Sequence, residues 1–182
     1  QLWGAGVLVR TDGRAHVWDA CELAELRRQP LVATVEVRPF TGEELGQLAE
    51  ATLGERPGAS VIDHILARSG GIPFYGRELL VAHRAGTNRP PDSLVEFIGG
   101  RLDRLEPEVR ALLRSAAVVG QRMPHRLLAA VANLPDDHLN PMLRQLVEQR
   151  VLVADGDGYV FRLALVREVL LLDVLPFEAE TL

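Results

Sequence analysis

Lysine is absent from this 182-residue chain, and all 20 basic residues are arginine. A phosphate-binding P-loop ends in Gly-Lys-Ser/Thr, with the lysine ammonium on the β- and γ-phosphates, so a normal P-loop is excluded. Cysteine is almost missing too. Cys21 stands alone, which rules out an internal disulfide and a cysteine-based metal site and agrees with a reducing compartment. The five histidines, at positions 16, 64, 83, 125 and 138, never fall three or four residues apart, so helix-borne metal ligation has no support. No apolar run approaches the roughly 20 residues that a membrane helix needs.

What is present is the composition of a folded, soluble chain, 47% hydrophobic and 25% charged, for which a cytoplasmic location is expected. Its length suits one ordinary domain or two small ones. The net charge of -5 is spread evenly, with ten arginines against thirteen acids in residues 1–100 and ten against twelve in residues 101–182. Neither half presents the basic surface that nucleic acid attracts.

The chain opens without a methionine or a signal peptide, and so abrupt a start reads as that of a fragment. An apolar stretch from Ala5 to Val9 runs into Arg10-Thr11-Asp12-Gly13, a strand and its exit turn. Val17 to Arg28 has apolar residues at helical spacing and stops before Pro30, and Leu31 to Val37 is a second β-rich run. Residues 1–40 therefore read as strand, helix, strand, the end of an α/β layer.

From Thr41 onward the pattern is one of successive helices. Thr41 and Glu44 form a capping box ahead of a stripe at Leu45, Leu48, Ala49, Thr52 and Leu53. Ser60 with Asp63 is expected to cap the next helix, whose inward face is Val61, Ile62, Ile65 and Leu66 and which Ser69-Gly70-Gly71 breaks. Pro73 suits the first turn of a third helix carrying Phe74, Leu79 and Leu80. Pro90-Pro91-Asp92-Ser93 leads into a fourth, with Leu94, Phe97, Ile98, Leu102 and Leu105. Helices over 107–119, 124–134 and 136–150 follow, then strands over 151–154 and 159–161 around Asp155-Gly156-Asp157-Gly158, a strong hairpin signal. Three helices followed by a hairpin is the winged-helix arrangement. The last helix, Leu163 to Leu175, is apolar nearly all round and is expected to be buried or to cover another domain.

These landmarks come in a familiar order. The strand ending in Arg10-Thr11-Asp12, the stretch from Val35 to Glu44, Ser69 through Leu79, Pro91-Asp92-Ser93-Leu94, Leu112 through Gly120 and Phe161 through Glu168 together resemble the STAND branch of AAA+-type ATPases. Within that branch the chain resembles the large LuxR-type bacterial transcriptional regulators and the related ATPase modules attached to cyclases and kinases. The resemblance covers most of residues 5–176. It implies a mainly α chain made of the end of an α/β nucleotide-binding domain (1–40), a helical lid (41–103) and a winged-helix domain with one β-hairpin (104–182).

The same resemblance implies roles for three positions. Arg10 matches a sensor position, where an arginine contacts the γ-phosphate through charge-assisted bonds; an ordinary solvated arginine is the alternative reading. Pro73 matches the lid proline that packs on adenine. Leu163 stands where the family has a histidine that reaches the β-phosphate of ADP, and a leucine offers packing but no hydrogen bond to phosphate. Arg162 and Arg167 are the nearby cations that could substitute. ATP or ADP is then expected only together with an upstream P-loop domain, with none bound by this chain alone and no metal. The chain is not expected to be an enzyme by itself, although its parent would bind and slowly hydrolyse ATP. Its partners would be that upstream domain and, further along, helical-repeat and DNA-binding domains, with no direct nucleic acid and no membrane. Pro90-Pro91 and Gly99-Gly100 are candidate joints, or ordinary turn residues.

Two other readings stand beside this one. In a DNA reader the helix from Asp136 to Arg150 would enter the major groove and the hairpin would touch the backbone, yet Arg144 and Arg150 are accompanied by Asp136, Asp137 and Glu148. A protein-interaction scaffold would use the apolar last helix. Hydrolytic catalysis is not expected, since Ser69 and Ser115 have no partner the sequence can point to, and Asp155 and Asp157 are explained by the turn.

Overall fold

A computed structural model describes residues 38–172 and the two short strands at 7–9 and 15–17. The two strands, β1 (Val7–Val9) and β2 (Ala15–Val17), pair antiparallel with Leu8 opposite His16. Val17, expected as the first residue of a helix, is thus the last residue of a strand. The rest of that expected helix, the run Leu31 to Val37 and Arg10 lie outside the described residues.

The remainder is mainly helical with a small antiparallel sheet. In order come α1 (Gly42–Leu53), α2 (Ala59–Ser69), α3 (Pro73–Arg84), α4 (Asp92–Leu102), α5 (Pro107–Val119), β3 (Arg122–Pro124), α6 (His125–Ala132), α7 (Asp136–Glu148), β4 (Leu152–Asp155), β5 (Gly158–Phe161) and α8 (Ala164–Leu172). Helix α1 starts as expected. The Thr41 hydroxyl accepts from the Glu44 N–H and the Glu44 carboxylate accepts from the Thr41 N–H at 2.8 Å, satisfying two donors that a helix start leaves open. Arg38 adds a two-pronged ion pair to Glu44 at 2.5 and 2.8 Å.

Helix α2 departs from expectation, because Gly58 is its N-cap and no side chain caps it; Ser60 lies inside the first turn. Proline sets most of the other starts. Pro73 and Pro107 occupy the first turns of α3 and α5, while Pro91, Pro124 and Pro135 are the N-caps of α4, α6 and α7. Proline costs little there, since a first-turn N–H has no partner within the helix.

Leu45 and Ala49 of α1, Ile62 and Ile65 of α2, Leu79 and Leu80 of α3 and Leu94, Ile98 and Leu102 of α4 are buried, as their spacing predicts. Phe74 and Phe97 are not: they are 41% and 45% exposed, each just off the stripe its helix buries. Gly99 and Gly100 belong to the last turn of α4, so that candidate joint is helical.

Strand β3 was not anticipated. It lies beside β5, giving the strand order β3-β5-β4, with Met123 opposite Tyr159 and Leu152 opposite Phe161. An Arg122–Asp155 ion pair bridges the two outer strands. The hairpin loop is Gly156–Asp157; β4 is shifted by one residue from the expected 151–154, and β5 is one residue longer than expected, starting at Gly158.

The last element occupies the middle. Helix α8 packs on α2 and α4 on one side and on α5 and β5 on the other. Leu165, Val166, Val169 and Leu170 bury its apolar surface, as expected, and one contiguous core runs from Leu45 to Leu170. The expected helix residues 173–175 lie outside the described residues.

Candidate functional site

Two of the three positions singled out by resemblance converge on one turn. Helix α2 ends at Ser69, and Gly70 (φ 59°) and Gly71 (φ 72°) reverse the chain in left-handed conformations that favour glycine. Pro73 then opens α3. The buried Ser69 hydroxyl accepts from the Gly71 N–H and donates to the Leu66 carbonyl, both at 3.3 Å, which ties the turn to the last turn of α2. The Phe40 N–H donates to the Gly71 carbonyl at 2.7 Å, which brings residues 39 and 40 across the turn so closely that a β-carbon on Gly71 would stand 2.7 Å from the Phe40 oxygen.

Leu163 arrives from the other end of the chain. It is 6% exposed and lies on Gly70, leaving no room for a β-carbon there. The leucine thereby fills the space over the turn that leads to Pro73, by packing alone. Arg162 is exposed, and the Arg167 Nε donates to the Ala117 carbonyl of α5 at 2.9 Å. Arg10 lies outside the described residues, so its relation to the turn is not part of this geometry.

Below Gly70 lies a polar cluster that periodicity did not reveal. Arg68 is buried beside Ser69, and its guanidinium engages Glu168 of α8 and Asn88 of the α3–α4 connection. A charged residue on the inner face of an apolar helix was the available signal. An aromatic group at the start of α3 was missed likewise. The Phe74 and Phe97 rings meet edge to face at 5.4 Å, Tyr75 lies 6.1 Å from Phe97, and the Arg101 guanidinium sits 5.5 Å above the Phe97 ring. Burial pushes the Tyr75 phenol above its ordinary pKa, against the lowering effect of Arg101.

The face suggested for DNA reading is now visible. Helix α7 turns Leu139, Leu143 and Leu146 inward and lines an open depression with Asp136, Asp137, Asn140, Pro141, Arg144, Gln145 and Glu148. Three carboxylates against one guanidinium repel a phosphate backbone. Among the described residues no group of three or more His, Cys, Asp or Glu side chains could hold a metal ion, and no helix is long and apolar enough to cross a membrane. Compared with known protein families, curated proteins and solved structures, the chain matches none.

Proposed function

We propose that this chain is the regulatory lid and winged-helix arm of a nucleotide-dependent switch of the STAND type, within a LuxR-type transcriptional regulator. One observation carries the reading. Leu163, matched by resemblance to a phosphate-contacting position, packs on Gly70, three residues before Pro73, which the resemblance matches to the proline that packs on adenine. The element order supports it further: helices α5, α6 and α7 precede the hairpin β4–β5, and β3 ties that hairpin back to the helices.

In this reading residues 41–103 are the lid and 104–182 the winged helix. ATP or ADP is held by an upstream P-loop domain, and the chain itself performs no hydrolysis. Its work is mechanical. ATP in place of ADP changes which contacts the arm makes, and the difference in affinity between the two arrangements is passed to an effector. Because Leu163 cannot donate a hydrogen bond, the arm holds ADP less firmly than a histidine would.

The test is nucleotide binding by the chain extended upstream through the expected P-loop domain, followed with fluorescent ATP and ADP. The extended protein is expected to bind both, the 182-residue chain neither, and Pro73→Ala to weaken binding by the extended protein. An extended protein that binds neither nucleotide would overturn the reading.

A further inference from the structure

Arg68 spends four of its five N–H groups on two partners. Its Nε and Nη2 donate to the two carboxylate oxygens of Glu168 at 2.9 and 2.5 Å, while Nη1 and Nη2 donate to the side-chain and main-chain oxygens of Asn88 at 3.1 and 3.0 Å. One guanidinium thus joins the end of α2, the α3–α4 connection and α8. The Arg68 side chain is 9% exposed and that of Glu168 30%.

Such a pair is a weak source of net stability, because both charges lose water on burial. What it adds is direction. A planar guanidinium and a carboxylate meet by two parallel bonds in one orientation, whereas the leucines and valines of α8 could repack after a small rotation or slide. The neighbouring residue anchors the helix the other way: Arg167 bonds the Ala117 carbonyl of α5. The short link from β5 is fastened too, as the Arg162 N–H donates to the Val151 carbonyl at 3.0 Å. Helix α8 is therefore tied to α5 by a backbone acceptor and to β5 by chain connection, while on the side of the bundle α1–α4 the ion pair is the directional contact beside apolar packing on α2 and α4 and that of Leu163 on Gly70.

We propose that Arg68, Glu168 and Asn88 form a latch that seats α8, together with the α5–β5 unit, on the helical bundle. Breaking the latch lets α8 leave α2 and α4 while it stays with α5 and β5. The proposal rests on this geometry alone and holds whether or not a nucleotide is involved.

Hydrogen exchange on the 182-residue chain tests it, comparing wild type with Glu168→Gln and Arg68→Lys. Lysine keeps the charge but cannot bind by two parallel bonds, so that variant reads the latch even if Glu168→Gln fails to fold. In a folded variant, amides at the end of α2, in the 85–91 connection and in α4 are expected to exchange at least about tenfold faster, with those of α5, α7 and β3–β5 within about twofold of wild type. Equal acceleration in both units would reduce the pair to a contributor of global stability and overturn the latch, as would no acceleration anywhere.

Discussion

Leu163 lies on the α-carbon of Gly70, in the space that any other side chain at residue 70 would enter. Gly70→Ala meets both this overlap and a left-handed φ of 59°, and is expected to cost about 1–3 kcal/mol. Leu163→Ala empties a buried site and is expected to cost about 2–4 kcal/mol. In the double variant the smaller side chain at 163 relieves the overlap, so the two costs are expected to sum to less than their separate values by at least about 0.5 kcal/mol. Urea denaturation of the four proteins measures this, and strict additivity would mean that the contact is not shared.

Gly158 of β5 has the Met123 carbonyl of β3 over its α-carbon, and a β-carbon there would also stand 2.9 Å from Pro124 Cα. Gly158→Ala should therefore push β3 away from β5 and lower stability by about 1–3 kcal/mol, with the loss concentrated in the β3–β5 ladder. The backbone amide spectrum of residues 122–124 and 158–161 reports whether the displacement is local.

Glu44 titrates far from its ordinary range. The two-pronged Arg38 contact, followed by the Thr41 N–H and hydroxyl, lowers its pKa to about 2. The folded value is depressed, so the contribution to stability is complete above the unfolded carboxylate range near 4.3 and disappears as pH falls toward 2. Glu44→Gln is expected to flatten the loss of stability in that acid window, read as melting temperature against pH. Salt should shrink the effect, since Arg38 and Glu44 are both in contact with solvent.

Duplex DNA is expected not to bind, even at low salt, because α7 and the hairpin tip present Asp136, Asp137, Glu148, Asp155 and Asp157. Titration at several salt concentrations checks this. Binding with a steep salt slope would require basic residues elsewhere on the chain to dominate, and would turn the α5–β5 unit into a DNA reader.

In the nucleotide-switch reading, Leu163→His in the extended protein is expected to slow ADP release by about tenfold, on the order of one hydrogen bond to a charged group. Stopped-flow displacement of fluorescent ADP measures it. Unchanged release would separate Leu163 from the nucleotide site.

Much of the helical succession is legible in the sequence because its signals are local. Pro73, Pro91, Pro107 and Pro124 mark four helix starts, the Thr41–Glu44 box marks a fifth, and Gly70 and Gly71 mark a stop, each through the dihedral angles and hydrogen bonds of its immediate neighbours. The buried positions of α1 to α4 follow from helical spacing for the same reason, and the hairpin follows from Asp-Gly between two apolar runs. Pro73 and Leu163 could be named as site candidates, but nothing in their sequence surroundings puts one near the other.

Tertiary structure decided the rest, since it depends on which surfaces meet. Strand β3 is three residues long, too short to show a period, and exists because β5 offers it a partner. Phe74 and Phe97 look like core residues by composition and are exposed because their neighbours on α3 and α4 fill the interior first. Arg68 stands out on the inner face of α2, but its partner Glu168, 100 positions along the chain, reads as an ordinary helix charge until α8 is laid between the bundle and α5. Sequence fixes the preferences of short segments, whereas the seating of α8 on Gly70 and Arg68 is a free energy shared between segments and is settled only when they pack.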